Sequence, residues 1–167
     1  MEVIQSFIQE LQQETLATKK LFNVIPEHKL TWKPHEKSMT LGQLANHIAM
    51  LPGRISAMAS ENGMDVKNAR FQPPQPESLP EIVNTLESSI HNATETLQQW
   101  DSAKAFGIWR FTNGEKELMA IPRVGVIRSI MLNHLYHHRG QLTVYLRLLD
   151  VLLPITYGRS ADASPTD

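Results

Sequence analysis

The chain has 167 residues, the size of one ordinary domain, and is long enough to bury most of the surface its unfolded form exposes. Lysine plus arginine (16) nearly balances aspartate plus glutamate (17), so there is no basic excess to neutralise phosphates or hold anionic lipid, and nucleic acid is not expected as a ligand. Cysteine is absent, which excludes a disulfide, a thiolate ligand and a protein thiol nucleophile; any thiol chemistry has to use a thiol brought in from outside.

The apolar residues Ile4, Phe7, Ile8, Leu11, Leu21, Phe22 and Ile25 recur at helical spacing and predict a first helix that Pro26 stops. Thr40 and Gln43 form a capping box, with Met39 and Leu44 placed as a hydrophobic staple, and predict the start of a second helix. A polar stretch from Asn62 to Gln75 is too irregular for an element and reads as a long surface loop. Ser78-Leu79-Pro80-Glu81 opens a third helix through Ile82, Leu86, Ile90, Ala93 and Leu97, ending near Trp100. Asn113-Gly114, after Phe106-Gly107-Ile108-Trp109-Arg110-Phe111, signals a short two-stranded ribbon. A fourth helix runs from about Pro122 to Asp150, second in length to the first, and residues 159–167 form a polar tail.

Neither the start, Met1-Glu2-Val3-Ile4-Gln5, nor any other window has the pattern of a secretory leader or a membrane span, which needs about 18 or more continuous apolar residues. A protein without membrane contact, located in the cytoplasm, is expected.

Chemistry concentrates in Asn133-His134-Leu135-Tyr136-His137-His138-Arg139-Gly140-Gln141-Leu142. His134 and His138 stand one helical turn apart on the same face, so both imidazoles can reach a single ion. His47, in the second helix, is the candidate third ligand. The competing reading for each is a core histidine bonded to a carbonyl. Burying three unpaired imidazoles in one core, however, costs several kcal/mol that a divalent ion would offset. His137 is about 100° round the helix from His138 and should face away. His28, His35 and His91 have no helical partner at ligand spacing and read as solvated.

The two segments "PHEKSMTLGQLANHI" and "HLYHHRGQL" together resemble the DinB / YfiT-like superfamily of bacterial metal-binding proteins, over most of the chain. The resemblance implies an all-α, up-down-up-down four-helix bundle in one domain, residues 1–158. It also implies a ligand set of one histidine on the second helix and two on the fourth, which maps onto His47, His134 and His138. Tyr157 to Asp162 resembles a family segment that packs back on the bundle. Relatives of this kind include metal-dependent hydrolases and transferases that use bacillithiol or mycothiol, and commonly pair as homodimers.

Three imidazoles without a fourth protein ligand leave an open position, and zinc or nickel suits them best. No carboxylate lies beside a ligand histidine in the manner of H-E-x-x-H. Arg54, seven residues after His47, and Tyr145, seven after His138, are the candidate substrate-binding groups; Arg139 and Gln141 read as capping residues or outer supports of the ligands. The expected function is metal-dependent transfer of a low-molecular-weight thiol to an electrophile, or hydrolysis of a small substrate, with a non-catalytic, dimeric stress-response bundle as the alternative.

Overall fold

The structure is a computed structural model that describes residues 2–67, 69 and 72–162. It is mostly helical with one small sheet. Its elements are α1 (Glu2–Phe22), α2 (Leu41–Ser60), β1 (Gly63–Asp65), α3 (Leu79–Gln98), α4 (Ser102–Phe106), β2 (Ile108–Asn113), β3 (Lys116–Pro122), α5 (Arg123–Val126) and α6 (Asn133–Leu148). Between α5 and α6 the segment Ile127–Leu132 is wound as a π-helix, so Arg123 to Leu148 is one unbroken run.

Four long helical runs surround the core, but they do not alternate up-down-up-down: α2 and α3 run parallel, with Gly53 bonded to Ser89 and Ser60 to Trp100, and α2 runs antiparallel to the last run, with Ala59 at Arg123 and His47 at His134. The last run is longer than α1 (21 residues), and the short α4, capped by Asp101 accepting from the Lys104 N–H at 2.7 Å, was not anticipated. The first helix ends at Phe22, ahead of Pro26, while Ile25 still packs into the core. α2 packs along α3 on one side and along the last run on the other; α1 packs on α3 and α6. The second and fourth long runs are therefore side by side, which is what allows their histidines to meet.

The predicted hairpin forms, with Asn113 paired to Lys116. Gly114 alone of its two loop residues takes a positive φ (61°), the glycine-first pattern of a type II′ turn. The ribbon is not two-stranded, because the loop expected to be irregular supplies β1, parallel to β2 with Gly63 opposite Arg110. That position requires glycine: a Cβ there would lie 2.4 Å from the Arg110 carbonyl oxygen. Asp65 locks the corner by accepting from the N–H groups of Gly114 and Lys67, each at 2.9 Å.

Arg123, buried, joins this sheet to the bundle. Its guanidinium donates to the carbonyls of Ala59 and Glu61 at 2.8 Å and to Asn62 Oδ1 at 3.2 Å. These are the unpaired carbonyls at the C-terminus of α2, whose partial negative charge serves as the counter-ion. Trp109, also fully buried, donates from its indole to the Met58 carbonyl at 3.1 Å and so fixes β2 on the same end of α2.

Opposite, Arg139 forms an ion pair with Glu14 at 2.5 Å, across α6 and α1. Its guanidinium stacks between the rings of Tyr136 and Tyr157, 5.3 and 5.1 Å from their centroids. Tyr157 thereby draws the chain after α6 back onto the bundle, and Asp162 completes the return by pairing with Arg147 at 2.5 Å. Among the described residues no helix is long and apolar enough to cross a membrane.

Candidate metal centre

His47 owes its direction to the start of α2. Thr40 Oγ1 accepts from the Gln43 N–H while Gln43 Oε1 accepts from the Thr40 N–H, each at 3.1 Å, so the first turn is fixed and the helix face follows. Seven residues on, His47 is half-buried between buried Asn46 and Ile48, on the side that meets the last run. His134 and His138 rise from the first turns of α6, with Leu135 and Leu142 buried on the core side.

The three rings converge. Their centroids are 5.2 Å apart for His47 and His134, and 4.5 Å for each of the other two pairs. One nitrogen from each lies within 4.8 Å of the others, so the triad can hold a metal ion. His138 Nδ1 is 2.7 Å from Gln141 Oε1, and the His134 ring bonds the Ile130 carbonyl one turn back. The π-helical winding just before it shifts the backbone partner from i−4 to i−5, as in the bond from Asn133 N–H to the Arg128 carbonyl.

Nε2 of His134 and Nε2 of His138 lie 2.7 Å apart; in the tautomer with the ring protons turned to Gln141 and Ile130 both lone pairs face inward, ready for a shared cation. Two nitrogens on one tetrahedral ion at about 2.0–2.1 Å stand about 3.3 Å apart, so the pair needs to open by only a fraction of an ångström. The donor set fits a divalent ion.

Burial lowers the pKa of all three histidines. His47 falls to about 4, through desolvation first and then the neighbouring His138, His134 and Arg54. His134 and His138 are lowered chiefly by burial as well. Neutral imidazole, the form that binds metal, is therefore favoured at neutral pH.

On one side His47 and His134 border an apolar cavity of about 260 Å³. Its walls are Met50 and Met58 of α2, Met64 of β1, Trp109 and Phe111 of β2 and Met119 of β3, with Arg54 at the rim. On the other side His134, His138 and His137 line a shallow outer groove with Ser129 and Asn133. A larger groove between α2 and α3, of about 830 Å³, touches this region only through Met50 and Arg54 and is open to solvent.

Of the residues singled out in the sequence, Arg54 is thus at the cavity. Tyr145 is elsewhere: its hydroxyl donates to the Met39 carbonyl at 3.3 Å and its ring meets Trp32 edge-on. His137 stands outside the triad, as its angle predicts, yet its ring abuts His138 at 4.9 Å and it borders the outer groove rather than turning fully away. Gln141 supports a ligand, whereas Arg139 serves the α1–α6 contact instead. His28, His35 and His91 are exposed. The cavity wall was missed, because its methionines and aromatics come from four separate segments; the run from Phe106 to Phe111 was the one signal available.

The comparisons agree with this picture. A protein of Bacillus subtilis (strain 168), YrdA, itself uncharacterized, is 24% identical over 161 residues, 94% of this chain and 89% of that protein. A DinB-like protein of Bacillus cereus ATCC 10987 superposes with a TM-score of 0.72 at 25% identity, covering 92% of this chain and 97% of the other. YjoA of Bacillus subtilis, also DinB-like, gives 0.65 at 17% identity over 96% and 100% of the two chains. A protein of Exiguobacterium sibiricum 255-15, proposed as a member of the DinB family, gives 0.65 at 19% identity over 97% of each. The profile of the DinB family matches residues 1–166, and with it the chain belongs to the DinB family.

Proposed function

We propose that this protein is a metal-dependent enzyme, a four-helix bundle in which His47, His134 and His138 hold one divalent ion, zinc or nickel, and that it joins a small nucleophile to an electrophile or hydrolyses it. The observation that carries this reading is the position of the triad: His47 and His134 border an apolar cavity with an arginine at its rim. A structural site would be closed by a fourth protein ligand, and among the described residues no carboxylate joins the cluster.

A divalent ion so held acts as a Lewis acid that makes water or a thiol acidic enough to be a nucleophile near neutral pH. The protein does the rest. Gln141 orients His138, the Ile130 carbonyl orients His134, and the methionine and tryptophan walls keep bulk water from the reacting groups. Because the chain has no cysteine, a transferred thiol is a low-molecular-weight co-substrate. The enzyme is further read as a cytoplasmic homodimer, which the exposed Val144 and Leu148, one turn apart on α6, support.

The test is turnover of a panel of small thiols, and of water, with a generic electrophile, before and after chelation. Activity should disappear with the ion and return with its addition, and should resist alkylating reagents removed before assay. Undiminished turnover by the chelated protein would overturn the reading.

A further inference from the structure

We propose that the cavity beside the histidine triad binds a small organic monoanion, a carboxylate on an apolar body, in all about ten non-hydrogen atoms, with Arg54 as its counter-ion. The proposal rests on the enzymatic reading only in calling this molecule the substrate; the binding itself needs no ion.

Arg54 differs from five other described arginines. Arg110 pairs with Glu117, Arg128 with Glu10 at 2.7 Å, Arg139 with Glu14 and Arg147 with Asp162, and Arg123 caps the carbonyls of α2. Among the described residues Arg54 has no ion-pair partner. Glu81, the one acid among the residues lining the α2–α3 groove, forms no ion pair with it and accepts from the Glu77 N–H at 2.7 Å. Arg54 therefore offers an unpaired guanidinium, with the planar fork that suits a carboxylate, at the mouth of a space whose other polar lining is the imidazoles of His47 and His134.

The walls define the rest of the molecule. The indole N–H of Trp109 is already given to the Met58 carbonyl, so the deep wall presents no donor to a ligand. Four of the seven methionines of the chain, Met50, Met58, Met64 and Met119, face the same space. Thioether side chains adapt to the shape of an apolar or aromatic body and contact rings favourably. In the chelated protein a second charged group would lie against methionine, tryptophan and neutral imidazole with no cation to pair it, which disfavours a dianion there.

Size follows from volume. An apolar cavity of about 150 Å³ takes up benzene, and this one is about 260 Å³. The carboxylate at Arg54 then leaves the apolar body lying toward His47 and His134, where the reacting atom would sit.

The probe is 3-phenylpropanoate, compared with its neutral isostere 3-phenylpropanamide, titrated by calorimetry into the chelated and the metal-loaded full chain. The acid should bind the chelated protein at least tenfold more tightly than the amide. Arg54→Gln should bring the acid to the level of the amide and leave the amide unchanged, while Arg54→Lys should restore part of the difference. Met119→Trp, which fills the cavity, should abolish binding of both, with the far-ultraviolet dichroism of each variant confirming its fold. Equal affinity of acid and amide, or indifference of the acid to Arg54→Gln, would overturn the proposal, as would binding of the acid only to loaded protein. The Arg54-dependent preference in a protein without turnover would uphold the site and reject the enzyme.

Discussion

Gln141 Oε1 lies 2.7 Å from Nδ1 of His138, an acceptor that favours the tautomer with the proton on Nδ1 and Nε2 free toward His134. Such outer partners of a ligand histidine typically change metal affinity ten- to a hundredfold when removed. Gln141 is exposed and caps nothing else in the core. Gln141→Leu should therefore weaken metal binding by about ten- to a hundredfold, measured by competition with a chelator, at an unchanged melting temperature.

The ligand assignment makes a sharper demand. His47→Ala, His134→Ala and His138→Ala should each abolish tight binding, and His137→Ala should keep about one ion per chain, by elemental analysis. Full metal content in any one of the first three would remove that residue from the set.

Stability of the chelated protein should depend on pH in a definite direction. His47 titrates near 4 in the folded protein against an ordinary 6.5, so between these values the unfolded chain binds a proton that the folded one does not. The contribution is fully present above pH 6.5 and is lost as pH falls toward 4. His134 and His138, also lowered, act in the same direction. Glu10 does not interfere in this window: burial raises its pKa, but bonds from Tyr136 and Arg128 leave it below 4.5. Urea midpoints of the chelated protein should fall between pH 7 and 5; a flat profile would contradict the burial of these rings.

Arg123 tests the frame that carries the cavity. Arg123→Met keeps much of the buried volume but strands the carbonyls of Ala59 and Glu61. The expected loss is about 2–4 kcal/mol in urea unfolding, with metal content retained in the folded fraction. A loss under about 0.5 kcal/mol, typical of a surface substitution, would show that water replaces the guanidinium at no cost.

Much of the centre was legible in the sequence because it rests on local rules. The Thr40–Gln43 box fixes the direction of α2, the four-residue spacing places His134 above His138, and Asn113-Gly114 turns the hairpin. What was not legible depends on distant partners. Gly63 reads as an ordinary loop glycine until the Arg110 carbonyl comes against it, and Arg123 reads as a helix-surface charge until α2 ends beneath it. Tyr145 has the right spacing from His138, but Trp32 and the Met39 carbonyl, about a hundred residues away in the chain, take its ring and hydroxyl. Arg139 likewise finds Glu14 only through the fold.

The π-helical segment Ile127–Leu132 has a consequence for how the last run can evolve or be engineered. A π turn accommodates one residue more than an α-helix allows over the same rise, so it works as a gear that turns everything after it by about 100° relative to what precedes it. Arg123, ahead of the gear, must face the end of α2; His134 and His138, beyond it, must face His47 in the middle of the same helix. Both demands are met by one continuous rod because the gear separates their settings. Deleting Ser129, an exposed residue within the segment, should let the rod wind as plain α-helix. The cap at Arg123 would stay in place while the histidine pair rotated off His47, giving a folded protein that no longer retains its ion.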